Sequence, residues 1–180
     1  SGIMVAAKTD AAHQGLTVQF ASRTLSRIYQ ALVWGLPSPT ADRIEVNIGR
    51  NPQNRIKMAV EPRGGRTAIT HYRVLRNLDG AASLVECRLE TGRTHQIRVH
   101  LEHIGYPVIG DQTYGRSGRR RRAELSPQTQ DAVAGFSRQA LHAWSLAFRH
   151  PMSDEDLRFE TALPDDMKRL IAAFDGAEKT

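Results

Sequence analysis

A chain of 180 residues is long enough for one domain with one substantial core, and 40% hydrophobic and 24% charged residues are ordinary for a folded protein. No apolar run approaches a membrane span, and no basic stretch leads into an apolar segment at the start, so membrane insertion and secretion lack support. The single Cys87 excludes an internal disulfide framework and a cysteine-rich zinc site. A lone cysteine suits a reducing compartment, and we expect a cytoplasmic protein.

Positive charge is concentrated in the first two thirds of the chain. Residues 1–60 carry 7 basic and 3 acidic side chains, residues 61–122 carry 12 and 6, and residues 123–180 carry 6 and 10. Of the 25 basic residues, 21 are arginine, whose guanidinium group binds phosphate through two parallel hydrogen bonds and stacks on bases. This pattern favours a polyanionic partner. An arginine-rich genome that uses arginine for any cation explains the charge alone equally well.

The predicted elements alternate between strands and helices. The first part of the chain is predicted to hold a short buried strand at 3–9, a helix over 11–23 capped by Thr9 or Asp10, and a strand at Arg27–Trp34 that is buried on both faces. Further strands are predicted at Lys57–Val60, Ala68–Leu75 and Ser83–Glu90.

Next, Ile97, Leu101 and Ile104 form a helical stripe within a helix over 94–104 that Gly105 closes. A loop at 115–128 follows. Last come a hairpin of strands 140–148 and 157–159 and a helix over 165–174. The predicted fold class is α+β, with a mixed, largely antiparallel sheet and flanking helices.

Polar donors are densest at residues 89–101, LETGRTHQIRVHL, where a strand ends and a helix begins. Gly92 permits a tight turn there, and backbone N–H groups at a helix start favour phosphate. The side chains that surround this point are Arg93, His95 and Gln96. Arg98 lies about one turn after His95 and faces the same side. An ordinary surface pair between Arg98 and Glu102 at i+4 is an alternative explanation for this arginine.

Histidines at 95, 100 and 103 raise the question of a metal site. No HExxH pattern or cysteine partner accompanies them, so the sequence predicts no metal site. Neither GxxxxGK[ST] nor GxGxxG occurs in the chain. We therefore expect no bound cofactor.

Two other features have both a functional and a structural interpretation. Tyr29 lies in the middle of a predicted strand, either as the wall of a pocket or as a core residue with a satisfied hydroxyl group. A basic loop either binds phosphates or extends into solvent. The arginines of this loop are Arg116, Arg119, Arg120, Arg121 and Arg122.

Five stretches in order resemble the RluA-type pseudouridine synthases, and most closely their subgroup D, which acts on large-subunit (23S) ribosomal RNA. They are SGIMVAAKT, YQALVWG, IGRNPQNRIKMAV, LETGRTHQIRVHLEHIGYPVIGDQTYG and RQALHAWSLAFRHP, and they cover nearly the whole chain. The fourth stretch is the most specific, because a TGRTHQIR turn and helix followed by IGxPxxGDxxYG seldom arises by chance.

The resemblance implies an enzyme that isomerises uridine to pseudouridine in RNA, with ribosomal RNA as the expected partner and with neither metal nor cofactor. Arg93, His95, Gln96 and the arginines of the basic loop are then the predicted RNA-binding residues. The C1′–N1 glycosidic bond breaks, the base turns, and it rejoins the sugar through C5. By motif position, Tyr29 matches the tyrosine that packs against the target base and is implicated in the late proton transfer. Arg98 matches the arginine that pairs with the catalytic aspartate, keeping that carboxylate ionised in a closed pocket.

The chain departs from the family pattern at the catalytic aspartate. Family members carry His-Arg-Leu-Asp shortly before Thr-Ser-Gly, and Ser1 and Gly2 match the end of that pattern. We therefore expect the aspartate upstream of residue 1, and a structural role for Asp111. Residues 1–180 are expected to be the carboxy-terminal major part of a single catalytic domain without an S4-like module, inactive alone and prone to self-association. The alternative is a noncatalytic RNA-binding protein derived from the same fold.

Overall fold

A seven-stranded antiparallel sheet forms the framework of the computed structural model, which describes residues 1–54, 56–115 and 119–176. The strands are β1 (Ser26–Trp34), β2 (Ala41–Arg50), β3 (Met58–Val60), β4 (Arg66–Leu78), β5 (Ala82–Leu89), β6 (Leu141–Arg149) and β7 (Asp156–Glu160). Their order across the sheet is β3-β2-β4-β5-β1-β6-β7, and every neighbouring pair is antiparallel.

Helices flank this sheet. They are α1 (Asp10–Ser22), α2 (Gln96–His103), α3 (Arg119–Arg122), α4 (Pro127–Gly135) and α5 (Asp165–Asp175). Helix α2 lies against β2, β3 and β4, while α4 packs on α5. None of the helices in the described ranges is long and apolar enough to cross a membrane.

Strand β1 lies inside the sheet, between β5 and β6, so that its backbone is hydrogen-bonded on both sides. Its last four residues are buried, as expected for a strand covered on both faces. The main core includes Leu32 and Val33 from β1, Leu101 from α2 and Leu170 from α5. These buried contacts anchor the strand that carries Tyr29.

The predicted α+β class with a largely antiparallel sheet is confirmed. The first helix begins where expected, because the Thr9 hydroxyl group accepts a hydrogen bond from the Ala12 N–H at 3.2 Å. The strands at 27–34, 68–75 and 83–90 also form, with ends shifted by one to three residues.

Two predictions about local structure are wrong, and one strand was not predicted at all. The strand expected at 3–9 is reduced to one parallel bridge between Gly2 and Ala143, with the Ile3 N–H donating to the Ala143 carbonyl at 3.0 Å. Strand β2 was missed because its sequence, ADRIEVNIGR, is mostly polar and only two of its side chains are fully buried. The region 115–128 was expected to be a loop, yet it contains α3 and the start of α4.

Candidate active site

A buried amide fixes the turn between β5 and α2. The Gln96 side chain is 3% exposed, and its Nε2 donates to the Ile69 carbonyl and to Thr70 Oγ1, each at 2.9 Å. Its Oε1 accepts from Thr91 Oγ1 at 2.7 Å and from the Arg93 N–H at 2.9 Å. The amide therefore ties the turn to β4. Because all of its hydrogen-bonding groups are engaged inside the protein, this geometry does not support a direct contact between Gln96 and RNA.

His95 is the residue just before α2, and its backbone adopts the left-handed conformation with φ 58°. Its Nδ1 shares a hydrogen bond with the Tyr114 hydroxyl group at 3.0 Å, and that hydroxyl group also accepts from the Met58 N–H at 2.9 Å. Burial, helped by the positive charge of Arg98, lowers the pKa of His95. We therefore expect a neutral imidazole at pH 7 that links α2 to β3.

Arg98 is held by Asp111 through two hydrogen bonds. Its Nε donates to Oδ2 at 2.6 Å and its Nη2 donates to Oδ1 at 2.8 Å. The Asp111 side chain is fully buried and that of Arg98 is 12% exposed. The guanidinium carbon also lies 4.9 Å from the centre of the Tyr114 ring. The structure thus places Arg98 on Asp111 and not on Glu102, so the surface-pair alternative is wrong.

Asp111 in turn is fixed by the backbone that follows it. Its Oδ1 also accepts from the N–H groups of Thr113 at 2.9 Å and Tyr114 at 3.0 Å. Burial acts to raise the pKa of Asp111, but the hydrogen bonds from Arg98 and these N–H groups outweigh it and lower the pKa overall. The hydrogen bond to Asp111 likewise raises the pKa of Arg98. Both members of the pair are therefore ionised. One edge of the Arg98 guanidinium is not used by Asp111, and its Nη1 forms no hydrogen bond with any described residue.

Tyr29 lies on β1 opposite Cys87 of β5 and Ala143 of β6. Its ring is half-buried and packs against the main core. Within the described ranges its hydroxyl group has no hydrogen-bond partner, unlike the buried hydroxyl group of Tyr72, which donates to the Pro39 carbonyl at 2.8 Å. A rigid ring with a free hydroxyl group can offer both a stacking surface and a proton-transfer group.

The other predicted RNA-binding residues are placed differently from one another. Arg93 is half-buried, and its Nε donates to the Thr67 carbonyl at 3.1 Å. Arg121 donates through Nη1 to the Trp34 carbonyl at 2.7 Å and lies against the Tyr106 ring, so its guanidinium fastens α3 to the end of β1. Arg122 is exposed. Arg116 and the side chains of Arg119 and Arg120 lie outside the part of the chain that the structure describes.

Sequence reasoning expected a structural role for Asp111 but did not identify it as the partner of Arg98, and it did not identify Tyr114 as the partner of His95. Both belong to the GDQTYG stretch, which the sequence singled out without assigning its contacts. Within the described ranges, no three side chains among His, Cys, Asp and Glu are grouped closely enough to hold a metal ion.

Comparisons with known proteins identify a family and several related chains. Residues 1–103 match the family model described as RNA pseudouridylate synthase. The chain is 46% identical over 172 residues to ribosomal large subunit pseudouridine synthase D of Zymomonas mobilis, covering 95% of this chain and 52% of that protein. It is 46% identical over 173 residues to the protein of the same name from Neisseria meningitidis serogroup A, covering 96% and 45%.

Among solved structures, human RNA pseudouridylate synthase domain containing 4 matches with a TM-score of 0.71 at 26% identity, covering 93% of this chain and 68% of that one. Human RNA pseudouridylate synthase domain containing 1 matches with a TM-score of 0.68 at 27% identity, covering 94% and 73%. The chain spans about half the length of the curated relatives that it matches.

Proposed function

The chain belongs to the RNA pseudouridylate synthase family, in its RluA-type branch, and on that premise we propose that it isomerises uridine to pseudouridine in large-subunit ribosomal RNA. Residues 1–180 would form the major part of a single catalytic domain. The observation that carries the proposal is the buried Arg98, held by Asp111 with one guanidinium edge still free to bind a second oxyanion.

That second oxyanion is proposed to be the carboxylate of the catalytic aspartate. Asp111 is a poor candidate for this role, because it is fully buried and already accepts four hydrogen bonds. A nucleophile needs an oxygen atom that reaches the sugar. We therefore propose that the reactive carboxylate comes from outside these 180 residues and binds the free edge of Arg98, whose charge keeps it ionised.

The chemistry is an isomerisation, so no atom is gained or lost overall. The aspartate attacks C1′ or takes up a sugar proton, and the C1′–N1 bond breaks. The freed base then turns, and C5 bonds to C1′ as the aspartate leaves C1′ or the sugar proton returns. The proton on C5 is then lost and N1 is protonated. Tyr29 would pack against the base and take part in that late proton transfer. Packing requires a rigid ring, and proton transfer requires a hydroxyl group without another partner.

A uridine within folded RNA hides both C1′ and C5, so the target must be flipped out before it can react. Arg93, His95 and the arginines of residues 116–122 are proposed to hold the distorted strand through its phosphates. RNA affinity should then fall as salt concentration rises, with a slope set by the number of phosphates neutralised. A flat salt response would contradict the nucleic-acid assignment.

Tritium release from C5-labelled uridine in ribosomal RNA transcripts tests the proposal. We expect no release from the 180-residue chain and steady release from the longer gene product. In that longer product, Arg98→Ala should slow release while RNA binding is largely retained, and Tyr29→Phe should separate a hydroxyl role from packing. Turnover by the 180 residues alone would overturn the assignment of the aspartate. Binding without turnover by the longer product would instead favour the noncatalytic RNA-binding protein.

A further inference from the structure

Arg27 is a half-buried cation on the same strand as Tyr29, and it has no anionic partner in the described ranges. It precedes Tyr29 by two positions on β1, so both side chains leave the same face of the strand, about 6.6 Å apart along it. Its Nε is buried and has no hydrogen-bond partner among the described residues. Burial lowers the pKa of Arg27, and the neighbouring Tyr29 opposes that effect only in part.

Two other elements hold the guanidinium in place without satisfying it. Phe20 of α1 places its ring centre 5.5 Å from the guanidinium carbon. On another side lies Gly92 of the turn before α2, where an added Cβ would collide with Nη1 and sit 3.4 Å from the guanidinium carbon. Neither an aromatic ring nor a glycine Cα accepts a hydrogen bond from the N–H groups in the guanidinium plane.

A half-buried guanidinium whose Nε lacks a hydrogen-bond partner is costly unless a ligand completes it. Its donors match a phosphate group, which accepts two parallel hydrogen bonds from arginine. Gly92 and Phe20 are themselves exposed, so an approaching strand has access to this edge. We propose that Arg27 binds a backbone phosphate of the RNA, next to the base that packs on Tyr29. This assignment rests on the proposed function and adds to it the residue that fixes the phosphate.

The glycine at position 92 follows from the same geometry. Gly92 is exposed and does not adopt the left-handed backbone that favours glycine, so backbone strain does not require it. A methyl group there would instead push the end of the Arg27 side chain away. Gly92→Ala should therefore imitate the loss of Arg27 in RNA binding, although the new side chain is small and apolar.

The test is fluorescence anisotropy with a short labelled oligouridylate, titrated at several salt concentrations with the 180-residue chain and with the longer gene product. Arg27→Gln should weaken binding by roughly tenfold and lower the salt slope by about 0.7, the value for one phosphate on a single strand. Arg27→Lys should keep the slope, because the charge remains. Gly92→Ala should weaken binding in the wild-type background and add nothing to Arg27→Gln.

Two controls separate a phosphate contact from general effects. Arg76→Gln removes an exposed cation that already pairs with Asp175 at 2.7 Å, and its slope change should be much smaller. Tyr29→Leu should weaken binding through lost stacking while leaving the slope unchanged. If Arg76→Gln and Arg27→Gln changed the salt slope equally, the loss of net charge alone would explain the effect, and the proposal would be overturned.

The outcomes also distinguish this proposal from the one on which it rests. If the wild-type protein shows no salt-dependent binding at all, the RNA function itself fails. If the wild type binds normally and Arg27→Gln binds with the same affinity and slope, only the role of Arg27 fails. A slope change confined to the 180-residue chain would mean that Arg27 pairs with a group of the longer product, which also overturns the phosphate assignment.

Discussion

Removing the Asp111 carboxylate should destabilise the protein far more than removing a matched exposed carboxylate. Asp111→Ala deletes the acceptor of two hydrogen bonds from Arg98 and two from backbone N–H groups. It also leaves the Arg98 side chain, which is 12% exposed, without its counter-ion. Breaking a buried pair in this way costs about 3–5 kcal/mol. For a chain of this size we expect the midpoint of thermal unfolding to fall by roughly 6–20 °C.

The matched control is Asp166→Ala, which removes an equally bidentate partner from Arg138, with both bonds at 2.8 Å. That pair is about one third exposed, so its loss should cost at most about 1 kcal/mol. Circular dichroism during heating and during urea titration measures both variants. Equal losses of stability in the two variants would refute the view that burial makes the Arg98 pair essential.

Acid should weaken the same pair. Because the pKa of Asp111 is lowered in the folded protein, its stabilising contribution is complete above the unfolded value near 4 and is lost as pH falls through the lower native value. His100 adds an earlier acid sensitivity, since its ring is fully buried, neither nitrogen has a partner in the described ranges, and burial lowers its pKa to about 4. His100→Leu should therefore remove about 3 kcal/mol of the stability lost between pH 6.5 and 4, and urea titrations across this pH range would measure the difference from the wild type. Gly110→Ala should cost at least about 2 kcal/mol, because φ is +74° and a Cβ would overlap the Arg138 carbonyl; Gly80→Ala, with φ +73° and open space, should cost only about 1–2 kcal/mol in the same titrations.

Much of the sheet could be predicted from the sequence because its buried strands are apolar on both faces. Residues 27–34 have this pattern, and the turn at 77–81 separates two further strands. Strand β2 could not be found in this way. Only Ile44 and Ile48 are fully buried in it, and most of its other residues are polar, so it lacks the apolar pattern of a buried strand. The segment 3–9 failed for the opposite reason. It has a strand-like sequence, but a strand needs a partner, and the pairing with Ala143 ends at Ile3.

The candidate site was located more readily than its contacts. Motif position placed Tyr29 and Arg98, and sequence distance favoured Glu102 as the partner of Arg98, since i+4 neighbours meet on a helix surface. Asp111 lies 13 positions away and meets Arg98 only because the chain turns back after α2. The role of Gln96 was also hidden, because nothing in the sequence shows that its amide is buried against β4.

Strand β1 is made early in synthesis, but both of its neighbours in the sheet are made later. Its two partners, β5 and β6, begin at residues 82 and 141, while β1 itself begins at residue 26. Such distant pairing makes folding slow, because long loops must close before the contacts form. A nascent chain cannot complete the wall that carries Tyr29 until β6 has left the ribosome, so premature termination before that strand would leave β1 without one of its two neighbours.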